Sequence, residues 1–452
     1  MKKSRIVCFV LSMLLVLSCG TVTAQAYQSD IVDSMTTEAR SAILVDPDTD
    51  FVLYEQNAYE KAYPASITKV MSAILVMEAL ENGTLTLDQE ITATQSAWKG
   101  MDYTSSNQNI QPGETMTVKD LVYCMMVASA NEACNILATE ISGSIEAFVE
   151  DMNEKAVELG CTGTHFMNPH GMPDDNHYTT AYDLYLIAKY AMSFDFFREV
   201  VATDEYYTAA TNLNETPRHF FNTNALLSGK KYKGYEYEYC TGIKTGTTSA
   251  AGNCLLSSAE KDGRRLICVV LGCENPVDSS GNVQRKQFYE SSRLFKWGFE
   301  NFSVHSILDA TTPIAEVPVT LSSQNDYVSV VVDGVLEAQL PNDITSEDFE
   351  WTYDLPESVE APITQGQKLG TMTVTLDGEN YGNVDLVAVN NVERSPLLAF
   401  KHSVGQVIHS WQFILAVVVI AVLVIALIIR AIVVSNRKKR YNGHHSKNYK
   451  GK

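Results

Sequence analysis

The stretch "YPASITKVMSAILVMEAL", Tyr63 to Leu80, puts a hydroxyl and an amine at the head of an oily run. Pro64 suits the first turn of a helix, where its missing N–H would lack an intrahelical partner anyway. Asn82-Gly83 supplies the stop. Apolar side chains at Ile67, Val70, Met71, Ile74, Leu75, Met77 and Leu80 run nearly all the way round the helix. Such a helix is central to a domain and not laid on its surface. Ser66 and Lys69 lie three residues apart and so meet on one face. Ser66 would sit at the positive end of the helix dipole, with free backbone N–H groups nearby.

Outward from that helix, "SAILVDPDTDFVLYEQN" (Ser41 to Asn57) reads as strand, turn, strand, with Asp46-Pro47-Asp48 at the turn. "TVKDLVYCMMVAS" predicts a second helix, in which Thr117 and Asp120 resemble a capping box with Asp in place of Glu. Ser129-Ala130-Asn131 interrupts the pattern before it resumes in "NEACNILATEIS". "IEAFVEDMNEKAVELG" and "AYDLYLIAKYAMS" are amphipathic helices. After Tyr239 the texture turns to strands, "CTGIKTGTTSAAGNCLLSSAE" and "RRLICVVLGC", and "KQFYESSRLFKWGFENF" is the last helix of the unit. Strands at both ends with helices between predict an α/β or α+β domain over 27–303, whose sheet joins its first and last strands. From 304 to 392, segments such as "YVSVVVDG" and "VDLVAVNNV" alternate apolar and polar residues, which predicts a small all-β domain.

Both ends differ from this body. Lys2, Lys3 and Arg5 precede an apolar run, and Ala24-Gln25-Ala26 forms a small-x-small site, the pattern of a secretory signal peptide over 1–26. Near the other end "WQFILAVVVIAVLVIALII" carries no charge, and about 20 apolar residues cross a bilayer core. It predicts a transmembrane helix over 411–434, reached by a linker at 393–410. Arg430 and Arg437-Lys438-Lys439-Arg440 mark the cytoplasmic side, so the basic tail 435–452 lies inside and the long N-terminal part outside.

The net charge of −20 conceals an asymmetry. Three of the 34 Lys and Arg fall in 1–26 and eight in 430–452, where there is no Asp or Glu. The remaining exterior therefore sets 23 cations against all 54 carboxylates. That argues against nucleic acid or anionic lipid as a partner. Of nine cysteines two lie in the signal region, and most of the other seven sit in apolar settings that read as buried free thiols. There is no paired CxxC and no HExxH, so no metal and no cofactor is expected.

Ser-x-x-Lys occurs five times, at Ser66, Ser96, Ser228, Ser258 and Ser435, and only Ser66 opens a long buried helix. A serine hydroxyl is a weak nucleophile until a base takes its proton. Lysine serves only when neutral, a state favoured by burial and by a nearby positive charge. Lys244-Thr245-Gly246, followed by Thr247 on a predicted strand, offers that charge, and Gly246 leaves the strand edge open to a ligand backbone. Ser129-x-Asn131 supplies a hydroxyl to relay a proton and an amide to hold a substrate carbonyl. Singly each piece reads as an ordinary turn, cap or snorkelling side chain. Together and in this order they form the signature of penicillin-recognising serine acyltransferases.

On these motifs the chain resembles the low-molecular-mass penicillin-binding proteins that act as serine-type D-alanyl-D-alanine carboxypeptidases, peptidase family S11. "NPHGMPDDNHYTTAYDL" (Asn168 to Leu184), "NTNALL" (Asn222 to Leu227), "AGNCLLSSA" (Ala251 to Ala259) and "PITQGQKLGTMTV" (Pro362 to Val374) look like family segments. The resemblance implies a serine β-lactamase/transpeptidase-like domain, followed by the all-β domain. It implies that Ser66 forms an acyl-enzyme, Lys69 is the general base and Ser129 relays a proton. Asn131, Lys244, Thr245, Gly246 and Thr247 would bind substrate, with the Ser66 and Thr247 N–H groups as oxyanion hole. The implied partners are peptidoglycan stem peptides ending in D-Ala-D-Ala and β-lactams as covalent inhibitors.

Three departures stand out. Glu132 occupies a position where Asp is expected, and Thr247 one more often aromatic or His. No arginine is an obvious partner for the substrate carboxylate, Arg218 and Arg285 being candidates. The alternatives are a serine β-lactamase or a penicillin-sensing receptor. Class A β-lactamases need a Glu-x-x-Leu-Asn segment, and none lies between Asn131 and Lys244; a receptor needs a signalling domain, and the inner tail is too short for one.

Overall fold

The computed structural model describes residues 34–101, 105–308, 313–376 and 378–445, so the signal-peptide reading of 1–26 lies outside the described residues. The chain divides into two units, one running to Ser303 with Gln339–Asp343 added, the other comprising Val304–Ala338 and everything from Ile344 onward.

The first unit is built on a five-stranded antiparallel sheet. Its strands are β1 (Ser41–Asp46), β2 (Phe51–Gln56), β3 (Cys240–Thr248), β4 (Gly252–Lys261) and β5 (Arg264–Cys273), in the order β2-β1-β5-β4-β3. The first strand thus joins the last ones, Ala42 opposite Val270 and Leu44 opposite Cys268. Every residue of β1 is buried, because the sheet is covered on both faces. Successive side chains point to opposite faces. Ile43 and Val45 join Leu256, Ile267 and Val269 in one core, while Ala42 and Leu44 join Leu255, Leu266, Cys268 and Val270 in the other.

The first core holds the helices α1 (Lys69–Glu81), α2 (Val118–Met126), α3 (Asn131–Ser142), α4 (Ile145–Glu158), α5 (Ala181–Ala191) and α6 (Asp195–Ala202). α1 packs against all five others, which is why it is apolar all round and buried without a break from Lys69 to Met77. Helix starts follow their caps: Thr117, Ser144 and Thr180 accept from the N–H groups of Asp120, Ala147 and Asp183. The second core is closed by α7 (Lys286–Asn301) through Phe288, Leu294 and Phe295.

In the second unit a six-stranded sheet runs in the order Glu350–Asp354, Lys368–Leu376, Glu379–Ala388, Tyr327–Val332, Ala315–Thr320, Val359–Glu360. The segment expected as a linker, 393–410, is helical over Pro396–His409, with Ser395 as N-cap accepting from Leu398 N–H and proline in its first turn. A last helix spans Trp411–His445, longer than the apolar run because the basic residues after it continue the helical pattern. Within its portion Trp411–Arg437 an 18-residue window reaches a mean hydropathy of 3.4, and this portion is long and apolar enough to cross a membrane. All seven described cysteines are free and six are buried.

Candidate active site

Ser66 lies in a tight 3₁₀ turn, Ala65–Thr68, and the regular helix starts only at Lys69, later than the Pro64 start read from sequence. The cause is Ala65, whose φ of 48° has no place in a right-handed helix. Its carbonyl is gripped instead. Thr68 Oγ1 donates to Ala65 O at 2.8 Å. His177 Nδ1 accepts from the Met167 N–H at 3.1 Å, so the ring proton is on Nε2, which donates to Thr68 Oγ1 at 2.8 Å. Burial holds the His177 pKa down at about 4, so it stays neutral at neutral pH. Beneath the turn passes Gly171, φ +88°, where a Cβ would fall 1.8 Å from Ala65 O. Only glycine fits there.

Lys69 is fully buried. Its Nζ donates to Ser66 Oγ at 3.0 Å, to Asn131 Oδ1 at 2.7 Å and to the His170 carbonyl at 2.8 Å. All three acceptors are neutral. When the amine loses a proton it keeps two N–H groups, matched by Asn131 and His170. Its lone pair then falls on the Ser66 hydroxyl. Burial lowers the Lys69 pKa to about 8, against an opposing push from Cys134 and Glu132. The His170 carbonyl is itself fixed: Asn168 Oδ1 accepts from the N–H groups of His170, Gly171 and Met172 at 3.3, 2.7 and 3.2 Å. Ser72 Oγ donates to the neighbouring Pro169 O at 2.6 Å.

Ser129 and Asn131 stand where α2 gives way to α3. Ser129 is buried with φ 65°, and Asn131 is the first residue of α3. Because the Asn131 oxygen receives Lys69, its NH₂ is the part left to meet a substrate carbonyl.

Lys244, Thr245, Gly246 and Thr247 lie on β3, an edge strand of the sheet. A Cβ on Gly246 would approach Pro64 O to 2.8 Å and Ser66 N to 3.2 Å, so the strand lies directly against the Ser66 turn. Lys244 is buried, donates to Thr245 O at 3.1 Å, and is held well below the usual lysine range, by burial first and by the Lys69 charge second. Burial is the leading cause at both lysines, and the repulsion between the two cations adds to it. Thr245 Oγ1 donates to Thr223 Oγ1 at 2.6 Å, and the exposed Thr247 Oγ1 donates to Asn253 Oδ1 at 3.3 Å.

Both arginines weighed as carboxylate partners are engaged elsewhere. Arg218 grips Glu114 through both terminal nitrogens, at 2.8 and 2.9 Å, and Gln108 O through Nε. Arg285 stacks on Tyr232 at 3.6 Å. Sequence reasoning passed over Thr68, His170, His177, Gly171 and Thr223. The "NPHGM" segment drew notice, but the role of a backbone carbonyl leaves no mark in residue types. Among the described residues no group of three or more His, Cys, Asp or Glu could hold a metal.

Comparison with known proteins agrees with this geometry. Residues 25–275 match the family described as D-alanyl-D-alanine carboxypeptidase, and 302–394 match the penicillin-binding protein 5 C-terminal domain. The D-alanyl-D-alanine carboxypeptidase DacF of Bacillus subtilis is 31% identical over 371 residues, 81% of this chain and 90% of the relative. Among solved structures, the carboxypeptidase DacD from Francisella tularensis matches with TM-score 0.62 and 25% identity, over 82% of this chain and 98% of its own. Penicillin-binding protein 5 from Haemophilus influenzae matches with TM-score 0.58 and 28% identity, over 80% and 99%. The chain belongs to the D-alanyl-D-alanine carboxypeptidase family and is a serine peptidase of that class.

Proposed function

We propose that the enzyme removes the terminal D-alanine from peptidoglycan stem peptides through an acyl-enzyme on Ser66. Neutral Lys69 takes the Ser66 proton as Oγ attacks the carbonyl carbon of the penultimate D-alanine. The oxyanion falls to the backbone N–H groups of Ser66 and Thr247. The C–N bond then breaks, and the leaving amine of the terminal D-alanine gains its proton from Lys69 by way of the Ser129 hydroxyl. Water, activated by the same lysine, cleaves the ester and frees Ser66. The free edge of β3 suits an extended peptide added as one more strand. The Asn131 amide would hold the substrate's carbonyl and the hydroxyls of Thr245 and Thr247, with Lys244, its terminal carboxylate. A β-lactam meets the same Ser66 and forms the corresponding ester, acting as a covalent inhibitor.

The observation that carries this reading is the Lys69 amine, buried, 3.0 Å from Ser66 Oγ and with its other two donors fixed. A pentapeptide ending in D-Ala-D-Ala should release D-alanine. Ser66→Ala should abolish both that release and covalent labelling by a fluorescent penicillin. Release or labelling that survives in the variant would refute the assignment, and rapid penicillin hydrolysis would favour a β-lactamase. We infer that residues 1–26 direct export, that the first two domains (27–303 and 304–392) lie outside the cell, and that 411–434 anchors them, with 435–452 inside.

A further inference from the structure

Next to Asn131, Glu132 is a fully buried carboxylate on the first turn of α3. One oxygen, Oε1, accepts two backbone N–H groups from the segment that crosses in front of α3: Gln108 at 2.6 Å and Ile110 at 3.2 Å. The other, Oε2, is buried and has no hydrogen-bond partner among the described residues. That is a costly arrangement for a group whose role is packing alone.

What the carboxylate holds is the frame of the Ser129–Asn131 corner. The segment 105–110 touches that corner at two points. Ser106 O accepts from the Asn131 N–H at 2.9 Å, and Ser106 Oγ donates to Ala128 O at 3.3 Å. From its far side the segment is held by Arg218, whose Nε donates to Gln108 O at 2.9 Å while Glu114 fixes the guanidinium. Gln108 is therefore pinned at its N–H by the Glu132 carboxyl and at its carbonyl by the Arg218 guanidinium. Ser129 itself has a left-handed φ, a conformation that persists only where surrounding contacts enforce it. Asn131 must in turn present its oxygen to Lys69.

We propose that Glu132 is a positioning residue for the proposed acylation: it ties segment 105–110 to α3 and thereby fixes the Ser129 hydroxyl and the Asn131 amide against Lys69. It touches neither substrate nor nucleophile and acts through Asn131 and the segment. The inference rests on the acyl-enzyme reading of Ser66.

The test compares Glu132→Ala with Glu132→Gln in the full chain. Glutamine keeps an oxygen able to accept both N–H groups; alanine removes it. Glu132→Ala should lower the second-order rate of penicillin acylation by roughly 10- to 100-fold, the scale of a small misplacement of catalytic groups. It should also raise hydrogen–deuterium exchange in a peptide covering 105–111 while leaving β1 and β5 protected. Glu132→Gln should restore both readouts to within about threefold. Three results would overturn the proposal: acylation in Glu132→Ala equal to the parent, slow acylation with unchanged exchange over 105–111, or no rescue by glutamine. If Glu132→Ala does not fold, Glu132→Gln still decides, because a tenfold slower acylation in that folded variant would show that acceptance of the two N–H groups is not what matters. Failure of Ser66 itself to label would instead sink the acyl-enzyme reading, so the two failures are distinguishable.

Discussion

A buried amine is useful as a base only over the pH range where it has lost its proton, and Lys69 sets that range. With a pKa lowered to about 8, roughly one molecule in ten carries the neutral amine at pH 7. The acylation rate by penicillin should therefore rise about tenfold per pH unit below 8 and level off above it. Burial histidines add no limb there, since His170 and His177 are held at about 3 and 4. The same shift affects stability. Between about pH 8 and 10.5 the unfolded chain binds a proton at Lys69 that the folded chain does not, so this group makes stability rise with pH across that window. A flat acylation profile from pH 6 to 9 would show that Lys69 is not the base. Lys69→Arg should cost roughly 10²–10⁴-fold in acylation, because guanidinium cannot give up its proton at these pH values. At this scale the sequence was most informative, because the roles proposed for Ser66, Lys69, Asn131 and Lys244 belong to their side chains, which residue types reveal. The His170 carbonyl was illegible, since any residue could supply it.

At the scale of elements, two glycines join the pieces that the motifs name. Gly171 lets the 168–172 segment pass under the Ser66 turn, and Gly246 lets β3 lie against it. Gly171→Ala would bring Cβ within bond-like distance of Ala65 O at a left-handed φ. Its expected outcome is loss of the fold or a melting temperature many degrees lower, read by thermal unfolding. Gly246→Ala meets Pro64 O at 2.8 Å, Ala65 Cβ at 3.1 Å and Ser66 N at 3.2 Å, so β3 and the Ser66 turn must move apart. It should lower the melting temperature less than Gly171→Ala, whose Cβ would meet backbone at 1.8 Å, and slow penicillin acylation roughly 10²-fold, as the proposed oxyanion donors separate. Equal acylation in Gly246→Ala and the parent would mean that β3 does not form part of the site. The buried α1 was legible because its apolar residues circle the helix. Its true start was not, because the left-handed Ala65 is imposed by Thr68, His177 and Gly171 from elsewhere in the chain. The helix over Pro396–His409 was missed although Leu397, Phe400, Val404 and Val407 recur at helical spacing, because the segment was read only as a connection to the apolar run; none of its residues is buried.

For the molecule as a whole, the question is what holds it at a membrane. Two mechanisms differ in how salt affects them. Electrostatic adhesion fades as ionic strength rises, whereas burial of an apolar helix does not. Residues 27–429 set 23 Lys and Arg against 54 Asp and Glu, so adhesion of this part to an anionic leaflet would be repulsive. The Trp411–Arg437 helix, by contrast, has no Asp, Glu or Lys and only Arg430 and Arg437 as charges, at and beyond the end of its apolar run. The full chain should therefore sediment with membranes in high salt and at alkaline pH, and be released by detergent. A chain ending at Val392 should stay in the supernatant and keep penicillin labelling of Ser66, because every residue of the proposed site lies before Cys254. Sedimentation of the shortened chain would locate an anchor outside the apolar helix. Release of the full chain by salt alone would show that the helix does not cross the bilayer.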